Sequence, residues 1–157
     1  MIQFAIPAPP SELAAVALET AAALGASVAQ FRLAAHDSRG VSMRDGEVEN
    51  IGADTSIAMS VRVVHGGAWG FAATTDLSAI GAKDVANRAV SMAKLSTLVA
   101  VDEVVLAAEP KHGKQTWTLP IEIDAFSKSD DEVIQFLQEW NSRVAVSSIV
   151  SHLESNI

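Results

Sequence analysis

Cysteine is absent from the 157 residues, so the chain can hold neither a disulfide nor a thiolate-bound metal. That absence fits a reducing compartment. Concentrated positive charge is missing as well. Eleven Lys and Arg stand against nineteen Asp and Glu, for a formal charge of −8, and no basic residue precedes Arg32. A phosphate backbone or an anionic lipid surface is gripped by clustered cations, so neither nucleic acid nor a membrane is expected as a partner. No long apolar run exists either. Glu12 and Glu19 interrupt the apolar N-terminal stretch, which also lacks a basic start, and this argues against both a signal peptide and a membrane span. A cytoplasmic protein is expected.

The common catalytic motifs are also missing. There is no Gly-x-Ser-x-Gly elbow and no His-Glu-x-x-His helix. The four histidines, His36, His65, His112 and His152, include no pair at helical metal-binding spacing. "SHLES" brings Glu154 within two residues of His152, but a metal site takes three or four convergent ligands, so this pair reads as a surface feature. "HGGAWG" has glycines without a following Lys-Ser or Lys-Thr, and the element after it has a strand pattern rather than the helix a phosphate cradle requires. Asp102, Glu103, Glu122 and Asp124 supply paired carboxylates that could do acid–base work. In so acidic a chain they read as solvated charges.

What is present is material for a core. Hydrophobic residues make up 49% of the chain, which suits one ordinary domain or one domain with a short addition. The first element reads as a helix, with Ser11 as N-cap after Pro9 and Pro10, and with Leu13, Val16, Ala17, Ala21 and Leu24 at helical spacing before Gly25. Residues 27–75 read as an antiparallel β-meander of about five strands: Val28–Ala35, Gly40–Arg44, Glu47–Ala53, Ile57–Val64 and Trp69–Thr74. Asp45-Gly46 and Gly66-Gly67 each suit a two-residue turn with positive φ at both central positions. The second turn sets Val64 opposite Trp69, Arg62 opposite Phe71 and Val63 opposite Gly70.

That register gives the hairpin two apolar faces. Ile57, Met59, Val61 and Val63 share one with the small Gly70 and Ala72, leaving room for a helix to lie close. Val64, Trp69 and Phe71 share the other. Asp76 or Ser78 caps a helix over 79–95, whose stripe of Ala82, Val85, Ala86, Ala89, Met92 and Ala93 suits the first face. The second face has only the linker or the tail left to cover it, and exposed apolar patches mark interfaces. Val64, Trp69 and Phe71 are therefore the candidate interaction face. A polar stretch from Glu109 to Asp131 precedes a third helix over 130–141, and the tail "VAVSSIVSHLES" fits a strand or a helix by pattern. The fold class is α+β, with a C-terminal strand expected.

"SMRDGEVENIG", then "IAMSVRVVHGGAWGFAATTDLS" and an Ala-rich helix, resemble the N-terminal domain of the TldD/PmbA proteins, zinc-dependent peptidases also named modulators of DNA gyrase. "VVLAAEPKHGKQTWTLPIEIDAFS" is similar to the linker of the TldD branch, with Ala125 in place of the usual proline. The resemblance extends from about Leu13 to Leu153. It implies an N-terminal α+β domain over 1–100, and over 101–157 a linker, a helix and the start of a central segment. The family's His-Glu-x-x-x-His helix lies in a C-terminal half that has no counterpart here, so no catalytic residue, metal ligand or cofactor-binding residue carries over to this chain; zinc is expected only in the intact family enzyme. Family members pair as homo- or hetero-oligomers around an enclosed site for unfolded peptides. Two readings follow. The chain is a non-catalytic domain, or a truncated form, of such a peptidase, shaping its substrate channel and subunit interface; or it is a standalone peptide-binding module that uses a strand edge.

Overall fold

The computed structural model describes residues 8–110, 112–146 and 149–157. Among them, helix α1 spans Pro10–Ala23, strand β1 Val28–Arg44, β2 Glu47–His65 and β3 Ala68–Thr74. Helix α2 follows at Ala79–Ser96, a short 3-10 turn at Ala125–Ser127, helix α3 at Asp130–Val144 and strand β4 at Glu154–Asn156. The sheet is hydrogen-bonded in the order β3-β2-β1-β4, with β3 antiparallel to β2 and β4 antiparallel to β1. The architecture is α+β. The four segments expected along the first two hairpin arms form two long strands of 17 and 19 residues, because nothing at 36–39 or 54–56 interrupts the extended backbone. The chain divides into two units, one built from Met1–Ala35 and Ser56–Pro110, the other from His36–Thr55 and Lys111–Ile157.

The core of the first unit lies between helices and sheet. Leu13, Ala17 and Ala21 of α1 meet Met59, Val61 and Val63 of β2, Ala72 of β3, and Val85, Ala86, Ala89, Val90 and Ala93 of α2. α1 begins two residues earlier than its sequence suggests. Pro9 occupies the N-cap and Pro10 the first turn, where a missing N–H costs nothing, so Ser11 is already helical and caps nothing. Gly25 adopts φ +87° just after the helix, the left-handed position that favours glycine. At α2 the cap is Ser78, whose hydroxyl accepts from the Gly81 N–H, while Asp76 accepts from the Ser78 N–H. On α2 the buried stripe includes Val90 rather than Met92, which is half exposed. The α2 stripe centres on Ala86, Ala89, Val90 and Ala93, and Met92 lies past its edge.

The β2–β3 register is Val64↔Trp69, Arg62↔Phe71 and Val63↔Gly70, as the Gly-Gly turn requires. Gly66 and Gly67 sit at φ +56° and +72°. Gly70 is the point of closest approach. A Cβ built there would stand 2.8 Å from the Ala93 Cβ and press into the Ala89 carbonyl, so α2 seats directly on the β3 backbone.

In the second unit, α3 lays Val133, Ile134 and Leu137 on Val41 and Met43 of β1. Its start is a capping box. Ser129 accepts from the Glu132 N–H, and the Glu132 carboxylate accepts from the Ser129 N–H at 2.8 Å. That backbone bond, with Lys128 beside it, holds the Glu132 carboxyl below its ordinary value. Arg39 of β1 ties down the same turn, donating to the Lys128 carbonyl at 2.9 Å and to the Asp130 carboxylate. Of the ambiguous tail, Val144 ends α3, the other described residues up to Leu153 are irregular, residues 147–148 lie outside the described residues, and only its end joins a strand: Ser42, Met43 and Arg44 pair with Asn156, Ser155 and Glu154.

Gly70→Val should destabilise the chain by about 1–3 kcal/mol through overpacking against α2. Gly67→Val should cost more than about 1 kcal/mol through backbone strain at positive φ. Thermal or urea denaturation of both variants checks this, and an unchanged midpoint would count against the hairpin register.

Candidate functional site

The hairpin's outer face is graded rather than uniform. Val64 is only 3% exposed, Trp69 is half-buried, and Phe71 is 58% exposed. Arg62 lies over the Trp69 ring, its guanidinium carbon 4.7 Å from the centroid, and its Nε donates to the Gln30 side chain at 2.9 Å. A guanidinium on an indole face gains from the ring quadrupole while its polar rim stays hydrated. Part of this face is covered from within the unit: the Val104 N–H donates to the Gly67 carbonyl at 2.8 Å, which brings the segment after α2 against the turn. The most open apolar element of the three candidate residues is thus Phe71, with the Trp69–Arg62 stack beside it.

The acidic candidates do not converge. Asp124 caps the 3-10 turn, accepting from the Phe126 N–H at 2.9 Å, and Asp102, Glu103 and Glu122 are exposed. Among the described residues no three His, Asp or Glu side chains form a group able to hold a metal ion. The described donors are too scattered to hold a zinc ion. Among those residues too, no helix is long and apolar enough to cross a membrane.

Against this geometry, residues 29–93, which carry β1 to β3 and most of α2, match the family model of PmbA/TldA metallopeptidase domain 1. Residues 29–93 are thus similar to the first domain of that family. Solved structures share the fold. The chain is similar to a candidate modulator of DNA gyrase from Bacteroides thetaiotaomicron, with TM-score 0.67 and 17% identity over 93% of this chain and 33% of that one. TldE from Thermococcus kodakarensis gives TM-score 0.55 and 12% identity over 88% of this chain and 31% of that one. A candidate modulator of DNA gyrase from Thermotoga maritima gives 0.55 and 14%, over 93% and 34%. The chain spans about one third of the length of these structures. No curated protein matches it.

The second unit holds a polar constellation that the sequence did not single out. Asp45, at φ +50° in the β1–β2 turn, grips the tail three ways. Its N–H donates to the Leu153 carbonyl at 2.8 Å, its carboxylate accepts from the Leu153 N–H at 2.9 Å, and the other oxygen lies 3.2 Å from His152 Nδ1. Arg44 adds an ion pair to Glu154 at 2.8 Å. His152 and Glu154, neighbours in "SHLES", therefore face different partners on the hairpin. The only sequence signal for this was Asp-Gly at the turn, which reports the hairpin and says nothing of the tail 107 residues away.

The Leu153 N–H, and after it the His152 ring, hold the Asp45 carboxyl below its ordinary value. A folded value below the unfolded one contributes stability that is complete above the unfolded value, about 3.9, and is lost as pH falls through the lower folded value. Asp45→Asn should keep the turn, since Asn tolerates positive φ. It should speed hydrogen exchange at the Leu153 amide several-fold near neutral pH and abolish the acid-dependent loosening of the tail. Exchange mass spectrometry across pH 2–6 measures both effects.

Proposed function

We propose that this chain serves as a non-catalytic domain of a TldD/PmbA-like metallopeptidase, helping to shape the channel that admits unfolded peptide and the interface with a second family subunit. The observation that carries the reading is the match of residues 29–93 to domain 1 of that family. Residues 1–100 form the family's N-terminal domain in this reading, and 101–157 form the linker and the start of a central segment. The assembly works in the cytoplasm and uses no nucleic acid, in keeping with the charge of −8. Catalytic zinc belongs to a part of the enzyme other than these residues.

Dialysed chain should retain well under one zinc per molecule and should leave an unfolded protein substrate intact. Metal analysis alongside a digestion assay tests both. One tightly held zinc per chain, or metal-dependent cleavage, would overturn the reading.

The interface is assigned to Val64, Trp69 and Phe71, with Trp69 and Phe71 as its accessible part. Apolar area buried there contributes about 25 cal/mol per Å² before the costs of association. Trp69→Ser should leave the monomer folded and weaken self-association or pairing with a family subunit. Sedimentation over a concentration series decides this. Unfolding of the Trp69→Ser monomer would instead make Trp69 an internal packing residue.

A further inference from the structure

The β1–β2 turn is a reactive dipeptide as well as a structural one. Where glycine follows aspartate, the glycine nitrogen can reach the aspartate side-chain carbon, because no side chain on the second residue hinders the approach. Gly46 meets that condition. It sits at φ +86°, and a Cβ built on it would meet nothing within 4 Å. Asp45 is exposed and itself lies at φ +50°. In the attack the Gly46 nitrogen bonds to Asp45 Cγ and gives up its proton, while the protonated carboxyl gives up its hydroxyl. One water leaves and a five-membered succinimide closes. Water then adds to either ring carbonyl. Addition at the main-chain carbonyl yields isoaspartate, in which the chain runs through the side-chain carbon and is one methylene longer. The net change is an isomerisation with water as the sole co-reactant.

What sets this turn apart from other Asp-Gly turns is the tail. Both oxygens of the Asp45 carboxylate are engaged by it: Oδ1 accepts from the Leu153 N–H at 2.9 Å, and Oδ2 lies 3.2 Å from His152 Nδ1. The Asp45 N–H donates back to the Leu153 carbonyl at 2.8 Å. A carboxylate held at both oxygens is not free to turn its carbon toward the following nitrogen. It is also in the wrong protonation state. The Leu153 N–H, and after it the His152 ring, hold the carboxyl below its ordinary value, and an ionised carboxylate has no hydroxyl to lose. Reaction therefore requires the tail to let go first, by local opening. The product cannot restore the clasp. In isoaspartate the free carboxylate is attached directly to Cα, and the lengthened backbone no longer fits a two-residue turn.

We propose that Asp45-Gly46 is an isoaspartate-forming modification site controlled by the docking of His152 and Leu153: opening of the tail permits the modification, and the modification keeps the tail open. The effect reaches β4, because Arg44 and Glu154, paired across the β1–β4 ladder and joined by an ion pair at 2.8 Å, lie next to the clasp. All the parts belong to the second unit of this chain, so the proposal stands or falls apart from the peptidase reading.

The test incubates the whole chain in ¹⁸O-labelled water at neutral pH and follows residue 45 by peptide mapping. Each ring opening places one ¹⁸O at that residue, and electron-transfer fragmentation separates isoaspartate from aspartate. Leu153→Pro, which removes the N–H donor, should raise the rate of isoaspartate formation several-fold. His152→Ala, which keeps that donor, should raise it by a smaller factor. Asp37-Ser38, inside β1 with the Asp37 carboxylate accepting from the Thr55 hydroxyl, is the internal reference and should keep its rate in both variants. In the aged chain, hydrogen exchange of the tail peptide should split into two populations, the fast one matching the isoaspartyl fraction. Equal rates at residue 45 in the unaltered chain and both variants would overturn the proposal. So would an equal rise at Asp37-Ser38, which would mean general loosening, or a single exchange population in chain that carries isoaspartate.

Discussion

The first unit depends on one close approach. α2 lies so near the β3 backbone at Gly70 that no side chain fits between them. Bringing helix and strand to that distance lets small residues do what larger ones do elsewhere. Ala82, Ala86, Ala89 and Ala93 are fully buried against Val61, Val63 and Ala72, and the gain comes from dense contact rather than from large side chains. The Gly-Gly turn sets the register that puts Gly70 on this face, since a one-residue slip would move it to the other side. Turn chemistry, register and helix seat are thus one constraint. The exposure of Phe71 follows from it, because whatever stands next to Gly70 on β3 must point away from α2.

The second unit is held by different means. Its apolar cluster is small, with Val41, Met43 and Leu137 fully buried and Val133 and Ile134 against them. Directed polar contacts supplement it: the Ser129–Glu132 capping box, Arg39 on the Lys128 carbonyl and Asp130, and Asp45 on Leu153 and His152. These contacts are exposed, so each contributes modestly, and their main effect is to fix geometry. A unit fastened in this way fixes the position of its tail through directed bonds more than through apolar burial. The buried, unpaired Asn141 amide lies in this unit rather than in the densely packed one.

Much of this protein was legible in its sequence, because much of it rests on short-range rules. Asp45-Gly46 and Gly66-Gly67 specify their turns through φ preferences that act within two residues. The alternation Ile57, Met59, Val61, Val63 and the alanine spacing of α2 specify which sides are buried. The ordered series of these segments was enough to point to the family whose first-domain model matches residues 29–93. The misplacements were also local. Ser11 has the residue type of a cap but lies inside the helix behind Pro9, Met92 has the spacing of a stripe whose buried member is Val90, and the capping box at Ser129 is obscured by the acidic run beside it.

Tertiary structure decided what depends on residues far apart in the chain. Whether 36–39 and 54–56 break the strands depends on cross-strand partners, so two long strands stand where four short ones were read. The tail suited a strand or a helix by pattern, and only its end, from Glu154, became a strand, where the edge of β1 at Ser42–Arg44 offers backbone groups to pair with. The degree of burial of Val64, Trp69 and Phe71, alike in the sequence, diverges because cover is a property of the packed unit. Asn141 and Asp45 are ordinary helix and turn residues by sequence. Only folding brings Asp45 against Leu153 and leaves the Asn141 amide buried without a partner, because hydrogen-bond satisfaction is set by which groups meet in space and not by their spacing along the chain.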